Sequence, residues 1–220
     1  MLERVLEPEV MDSYEEADGY NSMDHSAVNV AFAEDLLAAG YVGGDTLDLG
    51  TGTALIPIQI ARRVPQCRIM AVDLSVNMLE LARYNLEAAG VTAQVQLGQV
   101  DGKALPYPDN MFDAVISNSI IHHLAEPVTC LREAIRVIKP GGLVFFRDLM
   151  RPDNLAKLEQ LVQTYVGCEQ ARAQQMFRES LHAALDLAEI RELISSLGFS
   201  PNSVQATTDR HWTWTAHKPN

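Results

Sequence analysis

Apolar residues recur at helical spacing over 26–39 (SAVNVAFAEDLLAA) and stop before Gly40, which predicts a helix ahead of any sheet. Residues 46–50 (TLDLG) read as a short strand running into a glycine turn. The helix that follows tolerates its early Pro57, because first-turn amides lack partners in any case. A second unit of the same kind comes next. CRIMAVD (67–73) is an apolar run of the buried-strand type, and Ser75 is placed to cap a helix. That helix, VNMLELARYNLEAAG (76–90), turns Met78, Leu81, Ala82 and Leu86 to one side and closes at Gly90. AQVQLGQV (93–100), FDAVISN (112–118), the helix PVTCLREAIRVI (127–138) and the strand GLVFFRDL (142–149) continue the alternation. Strands alternating with helices predict an α/β fold with a doubly wound, mostly parallel sheet.

The last part of the chain departs from this rhythm. Asp186 and Glu189 form a capping pair for a helix that ends near Gly198, and the runs SVQATT and HWTWTAHK predict a C-terminal antiparallel hairpin, bringing the sheet to seven strands. Trp212 and Trp214 alternate on one face of its last strand, as packing residues do. Between 152 and 184 lies a helical insertion in which Leu155, Leu158, Leu161, Val162 and Tyr165 make a stripe. It follows the last parallel strand on its carboxyl side, where open sheets of this type bind ligands, so it is expected to be a substrate lid.

Composition narrows the class. The 220 residues, 47% of them hydrophobic and 21% charged, suit one folded domain spanning 1–220. Its parts are an N-terminal cap and helix (1–40), a binding core (45–150), the insertion, and a final helix and hairpin (185–220). A net charge of -12 with no basic cluster argues against nucleic acid as a partner. Cys67, Cys130 and Cys168 show no paired spacing, so neither a disulfide framework nor a metal site is expected. The acidic opening has no signal-peptide core and no run is long enough to span a membrane, which points to a cytoplasmic protein. Oligomeric state is not legible.

The chemistry gathers at strand ends. Asp48-Leu49-Gly50-Thr51-Gly52-Thr53 lies where the first strand meets its helix, and glycines there let a ligand approach the backbone closely. Asp73 ends the second strand, where a carboxylate can accept both hydrogen bonds of a ribose diol. A nucleoside ligand is implied. A dinucleotide fingerprint would carry a third glycine where this chain has Leu55, which disfavours a pyrophosphate. S-adenosylmethionine has no phosphate and needs no such glycine.

Together LDLGTGTA, AVDLS, VDGKALPYPDNMFDAVISNSIIHHL and VIKPGGLVFFRDL, in this order over roughly 45–150, resemble the class I S-adenosylmethionine-dependent methyltransferases. The similarity is greatest to the subgroup of ubiquinone and menaquinone biosynthesis enzymes. The resemblance implies a Rossmann-like fold and S-adenosyl-L-methionine as cofactor. It places Gly50 and Gly52, with Asp48 and Thr51, at the methionine moiety, Asp73 at the ribose, Leu74 and Met78 on the adenine face, Asp101 with Gly102 at the adenine amino group, and Ser117 or Asn118 at the methionine end. In similar proteins an N-terminal segment folds over the cofactor, which would bring Tyr14 and Tyr20 to it. Base-methylating members carry two prolines and an aromatic after their Asn or Asp, where this chain reads Asn118-Ser119-Ile120-Ile121, so the acceptor is expected to be a small molecule. Where the acceptor must lose a proton, His123 and Asp148 are the catalytic candidates, beside His122 and His182. A nicotinamide-dependent oxidoreductase and a non-catalytic cofactor-binding protein are the alternatives. The identity of the acceptor is not encoded in any motif.

Overall fold

Glycine turns and helix caps set the boundaries of the elements in the computed structural model, which describes residues 2–7, 17–19, 21 and 26–219. Helix α1 (Ser26–Ala38) precedes β1 (Gly44–Leu49), and α2 (Leu55–Arg63) begins right after the glycine turn with Pro57 in its first turn. Next come β2 (Cys67–Asp73) and α3 (Val76–Ala89). Ser75 caps α3 by accepting from Met78 N at 3.3 Å, and Gly90 ends it at φ +70°. The strands β3 (Val95–Gln99) and β4 (Phe112–Asn118) are followed by a single 3₁₀ turn (Ile121–His123), α4 (Pro127–Val137) and β5 (Ile138–Leu149). The end of the chain holds α5 (Leu155–Val166), α6 (Ala171–Ala183), α7 (Leu187–Ser196), β6 (Val204–Ala206) and β7 (His211–His217).

The seven strands lie in the order β3-β2-β1-β4-β5-β7-β6. β1 pairs parallel with β2 and with β4, and β2 pairs parallel with β3. β6 runs antiparallel to β7 with Val204 opposite Trp214, so the anticipated α/β class, seven-stranded sheet and terminal hairpin are all present. The order reverses direction beside β1, whose two neighbours lie on opposite sides of it. In open parallel sheets the carboxyl ends of the strands at such a point form the ligand crevice. The structure therefore puts the glycine turn after β1 in the position where this fold binds ligands.

Two compact units can be distinguished. The first comprises the described residues within Val10–Asn118, Thr129–Phe145 and Thr215–Asn220, and the second those within Met1–Glu9, Ser119–Val128 and Phe146–Trp214. In the first, Phe32 and Leu36 of α1, Ile58 and Ile60 of α2, Ile69 and Ala71 of β2, Ile116 of β4 and Phe145 of β5 share one core. Phe32 meets Phe145 edge to face at 5.1 Å. In the second, Leu158, Leu161 and Val162 of α5 pack with Leu181, Ala184 and Leu149. The stripe of the insertion thus finds most of its apolar partner within its own unit. Leu155 and Tyr165 remain exposed, and Tyr165 donates its hydroxyl to Asp209 at 2.8 Å under the guanidinium of Arg210. Trp212 and Trp214, which their alternation put on one face as packing residues, are wholly buried. Among the described residues, no helix is long and apolar enough to cross a membrane.

Candidate cofactor site and an acid-histidine cluster

In the first unit, the turn after β1 is built by residues that need left-handed backbone: Gly50 at φ +68°, Gly52 at +55° and, without the glycine advantage, Ala54 at +60°. Thr51 N donates to Val72 O at 2.9 Å, which fastens the turn to the neighbouring strand. The carboxylate of Asp73 then closes the arrangement. Its Oδ2 accepts from Gly52 N at 2.8 Å and its Oδ1 from Ser75 N at 2.9 Å. Burial nonetheless raises the Asp73 pKa, against these backbone donors. Each carboxylate oxygen can accept more than one hydrogen bond, so Asp73 keeps capacity for a diol.

Below the turn, Asp48 is buried at 3% exposure and burial lifts its pKa to about 7. The Thr51 hydroxyl is the neighbour that opposes this rise by hydrogen bonding to the Asp48 carboxylate, and a β-carbon added to Gly52 would meet nothing within 4 Å. The open space at Gly52 leaves room for a ligand to pass close to the backbone of the turn.

The other expected cofactor residues are placed as follows. Leu74 is exposed, whereas Met78 is buried against Ala17 and Leu81. Asp101 accepts from Lys103 N at 2.9 Å and pairs with Lys103 Nζ at 3.4 Å, with Gly102 in the same turn. Ser117 is buried and donates its hydroxyl to Leu49 O at 2.8 Å, while Asn118 ends β4. Tyr14 and Tyr20 lie outside the described residues. Sequence reasoning missed Asn85. From α3 its Nδ2 donates to Thr53 O and to Asn21 Oδ1, each at 2.9 Å, holding the glycine turn and an N-terminal residue together. Its spacing carries no motif that would have revealed it.

The second unit holds the expected catalytic pair. Asp148, buried at the end of β5, accepts from Ile121 N at 2.5 Å, from His122 N at 3.3 Å and from Leu149 N at 2.6 Å, and also bonds His122 Nδ1. The 3₁₀ turn is wrapped around this carboxylate. Burial disfavours the charged form of His122, but Asp148 and Glu7 outweigh it and raise the ring's pKa, while His122 holds the Asp148 pKa down against its own burial. His123 is partly exposed, with Nδ1 at 3.1 Å from Glu7. Glu7 was not foreseen as a site residue; nothing in an isolated Glu near an N-terminus signals it.

Comparison with known proteins gives the class. Residues 47–146 match the family model of the methyltransferase domain. Over this segment the chain is similar to class I S-adenosylmethionine-dependent methyltransferases, a likeness that the curated relatives share. It is 34% identical over 119 residues to the ubiquinone/menaquinone biosynthesis C-methyltransferase UbiE of Pasteurella multocida, a match covering 53% of this chain and 44% of the relative. The chain thus aligns with less than half the length of that curated relative. Among solved structures, a protein of Methanococcus maripaludis assigned as an S-adenosyl-L-methionine-dependent methyltransferase superposes with a TM-score of 0.75 at 18% identity, covering 98% of each chain. An S-adenosylmethionine-dependent methyltransferase from Aquifex aeolicus superposes with a TM-score of 0.68 at 16% identity, covering 94% of this chain and 98% of the other. These two likenesses are of fold.

Proposed function

We propose that this protein transfers the methyl group of S-adenosylmethionine to a small-molecule acceptor, with the cofactor held at the turn after β1. The supporting observation is the joining of Asp73 to Gly52 N at a turn with open space over Gly52. The cofactor supplies a methyl carbon already activated by its sulfonium, so the sulfur leaves as a thioether when the acceptor's electron pair takes the methyl. What the chain must provide is alignment and exclusion of water. On this reading Asp73 takes the ribose hydroxyls, Gly50 and Gly52 admit the amino-acid portion, Leu74 and Met78 flank the base, and Asp101 accepts from its amino group. Ser117, already committed to Leu49 O, acts by shaping the strand end.

Of the proton-accepting candidates, Asp148 is enclosed by its backbone donors and His122, so we assign it a positioning role on that ring. His123 is the group left for proton uptake in the metal-free protein when the acceptor demands it. The insertion 152–184 is proposed to select the acceptor. Its exposed Leu155 and Tyr165 support that role, since the other three stripe residues, Leu158, Leu161 and Val162, are consumed by packing.

Calorimetry with S-adenosylmethionine and S-adenosylhomocysteine, followed by a labelled-methyl screen over quinones, phenols, amines and sterols, tests the reading. Binding of both ligands with label in one acceptor class is expected. Binding of neither would end it.

A further inference from the structure

The second unit contains a constellation that methyl transfer does not call for. Glu7 Oε1 stands 3.3 Å from His122 Nε2 and 3.1 Å from His123 Nδ1, and the three atoms all lie within 4.8 Å of one another. The two rings are neighbours, with centroids 4.1 Å apart.

Two of the three donors, His122 and Glu7, are held from behind. His122 is buried, and its Nδ1 is bonded to Asp148, so Nε2 is the nitrogen turned to Glu7. A carboxylate on the far ring nitrogen is the usual outer partner of a metal-ligating histidine, because it fixes the ring and raises its basicity. Glu7 Oε2 accepts from Ser180 Oγ at 3.2 Å, whereas Oε1 is buried and makes no hydrogen bond despite the two nearby nitrogens. The segment that carries Glu7 is itself fastened. Arg4 donates to Ala183 O at 2.6 Å, His122 O at 3.2 Å and Leu124 O at 2.9 Å, and Val5 N donates to His182 O at 3.2 Å.

We propose that Glu7 Oε1, His122 Nε2 and His123 Nδ1 bind a divalent transition-metal cation of the zinc class. Donors at about 2.0–2.2 Å from a tetrahedral ion stand roughly 3.4 Å apart, and two of the three separations already lie close to that value. Two imidazoles and one carboxylate suit zinc, iron or nickel better than magnesium or calcium, which favour oxygen ligands. Three protein ligands leave a position open for water or an acceptor oxygen. A dication would also balance the two carboxylates, Glu7 and Asp148, gathered around one buried ring. With the cation in place His123 Nδ1 is a ligand, and its part in proton uptake is given up. The cation would pin residues 2–7 to the turn after β4.

The test uses the full chain stripped with a chelator and without S-adenosylmethionine. Zn²⁺ is titrated in competition with a chromophoric chelator, Co²⁺ absorption reports the geometry, and melting is followed with and without Zn²⁺. Wild type is expected to bind one equivalent, to melt higher with Zn²⁺ and to show the visible bands of low-coordinate Co²⁺. Glu7→Gln and His123→Asn should each weaken binding by about a hundredfold with unchanged circular dichroism. Replacing the exposed His217 by Asn and Cys168 by Ser should change nothing. No stoichiometric binding, equal affinity in both ligand variants, or loss through the His217 or Cys168 variant would overturn the site. S-adenosylmethionine affinity measured on the stripped protein reports separately on the methyltransferase reading, which a failure here leaves standing.

Discussion

Asp73 Oδ2 accepts the backbone N–H of Gly52 at 2.8 Å, so the carboxylate at the end of β2 is also the clamp on the turn after β1. In the proposed reading this one side chain both shapes the turn and takes the ribose hydroxyls. Asp73→Ala is therefore expected to weaken S-adenosylmethionine and S-adenosylhomocysteine by about 1.5–3 kcal/mol, the range for hydrogen bonds to a charged group. Asp73→Asn, which keeps an acceptor for Gly52 N, should fall between. Calorimetry showing unchanged affinity in the alanine variant would remove Asp73 from the site.

Gly52→Val probes the same turn sterically. Gly52 sits at φ +55° with open space where a β-carbon would go, so the variant should fold with a strain cost of about 1–2 kcal/mol yet fail to bind the cofactor. Native circular dichroism combined with undiminished binding would show that the ligand does not pass this point.

Asp48 gives a pH signature. Its folded pKa of about 7 stands well above the ~3.9 of an unfolded aspartate, because burial penalises the charged form. The fold therefore favours the neutral acid. Its contribution is complete below about pH 4 and is lost as pH rises to about 7, a change of a few kcal/mol. Asp48→Asn should remove this part of the slope and be more stable than wild type near pH 8. Urea denaturation at several pH values from about 4.5 to 8 measures it, and identical slopes for the two proteins would contradict the burial argument.

Arg151 is the structural counterpart in the second unit. Its buried guanidinium donates to Glu189 at 2.7 Å, Ala184 O at 2.7 Å and Leu2 O at 2.9 Å, and pairs with Asp186 at 3.5 Å. Arg151→Ala leaves these acceptors without their donor and should cost about 3 kcal/mol or more. Arg151→Lys should recover only part, since one ammonium cannot reproduce the fork. A loss under 1 kcal/mol in chemical denaturation would show that water replaces the guanidinium.

Much of the fold was legible because its signals are local. The period of apolar positions located strands and helices, Ser75 accepts from Met78 N as its position implied, and Asp186 with Glu189 forms the full capping box. The end of β5 nearest α4 was less readable. The strand begins at Ile138, not at Gly142, because Gly141 N donates to Lys218 O and Lys218 N to Gly142 O, partners far along the chain. The glycine turn and Asp73 were readable for the same local reason. Glu7 beside His122, Asn85 on Thr53 O, and the enclosure of Asp148 by the 3₁₀ turn were not, since each depends on tertiary placement of residues with no periodic or motif signature.

The most direct measurement is methyl transfer itself. Purified protein incubated with S-adenosylmethionine labelled in its methyl group and a panel of small-molecule acceptors should release S-adenosylhomocysteine and labelled product in equal amounts, and Asp73→Ala should lose both. Tight cofactor binding with no label leaving it, across quinones, phenols, amines and sterols, would contradict the proposed methyl transfer to a small molecule.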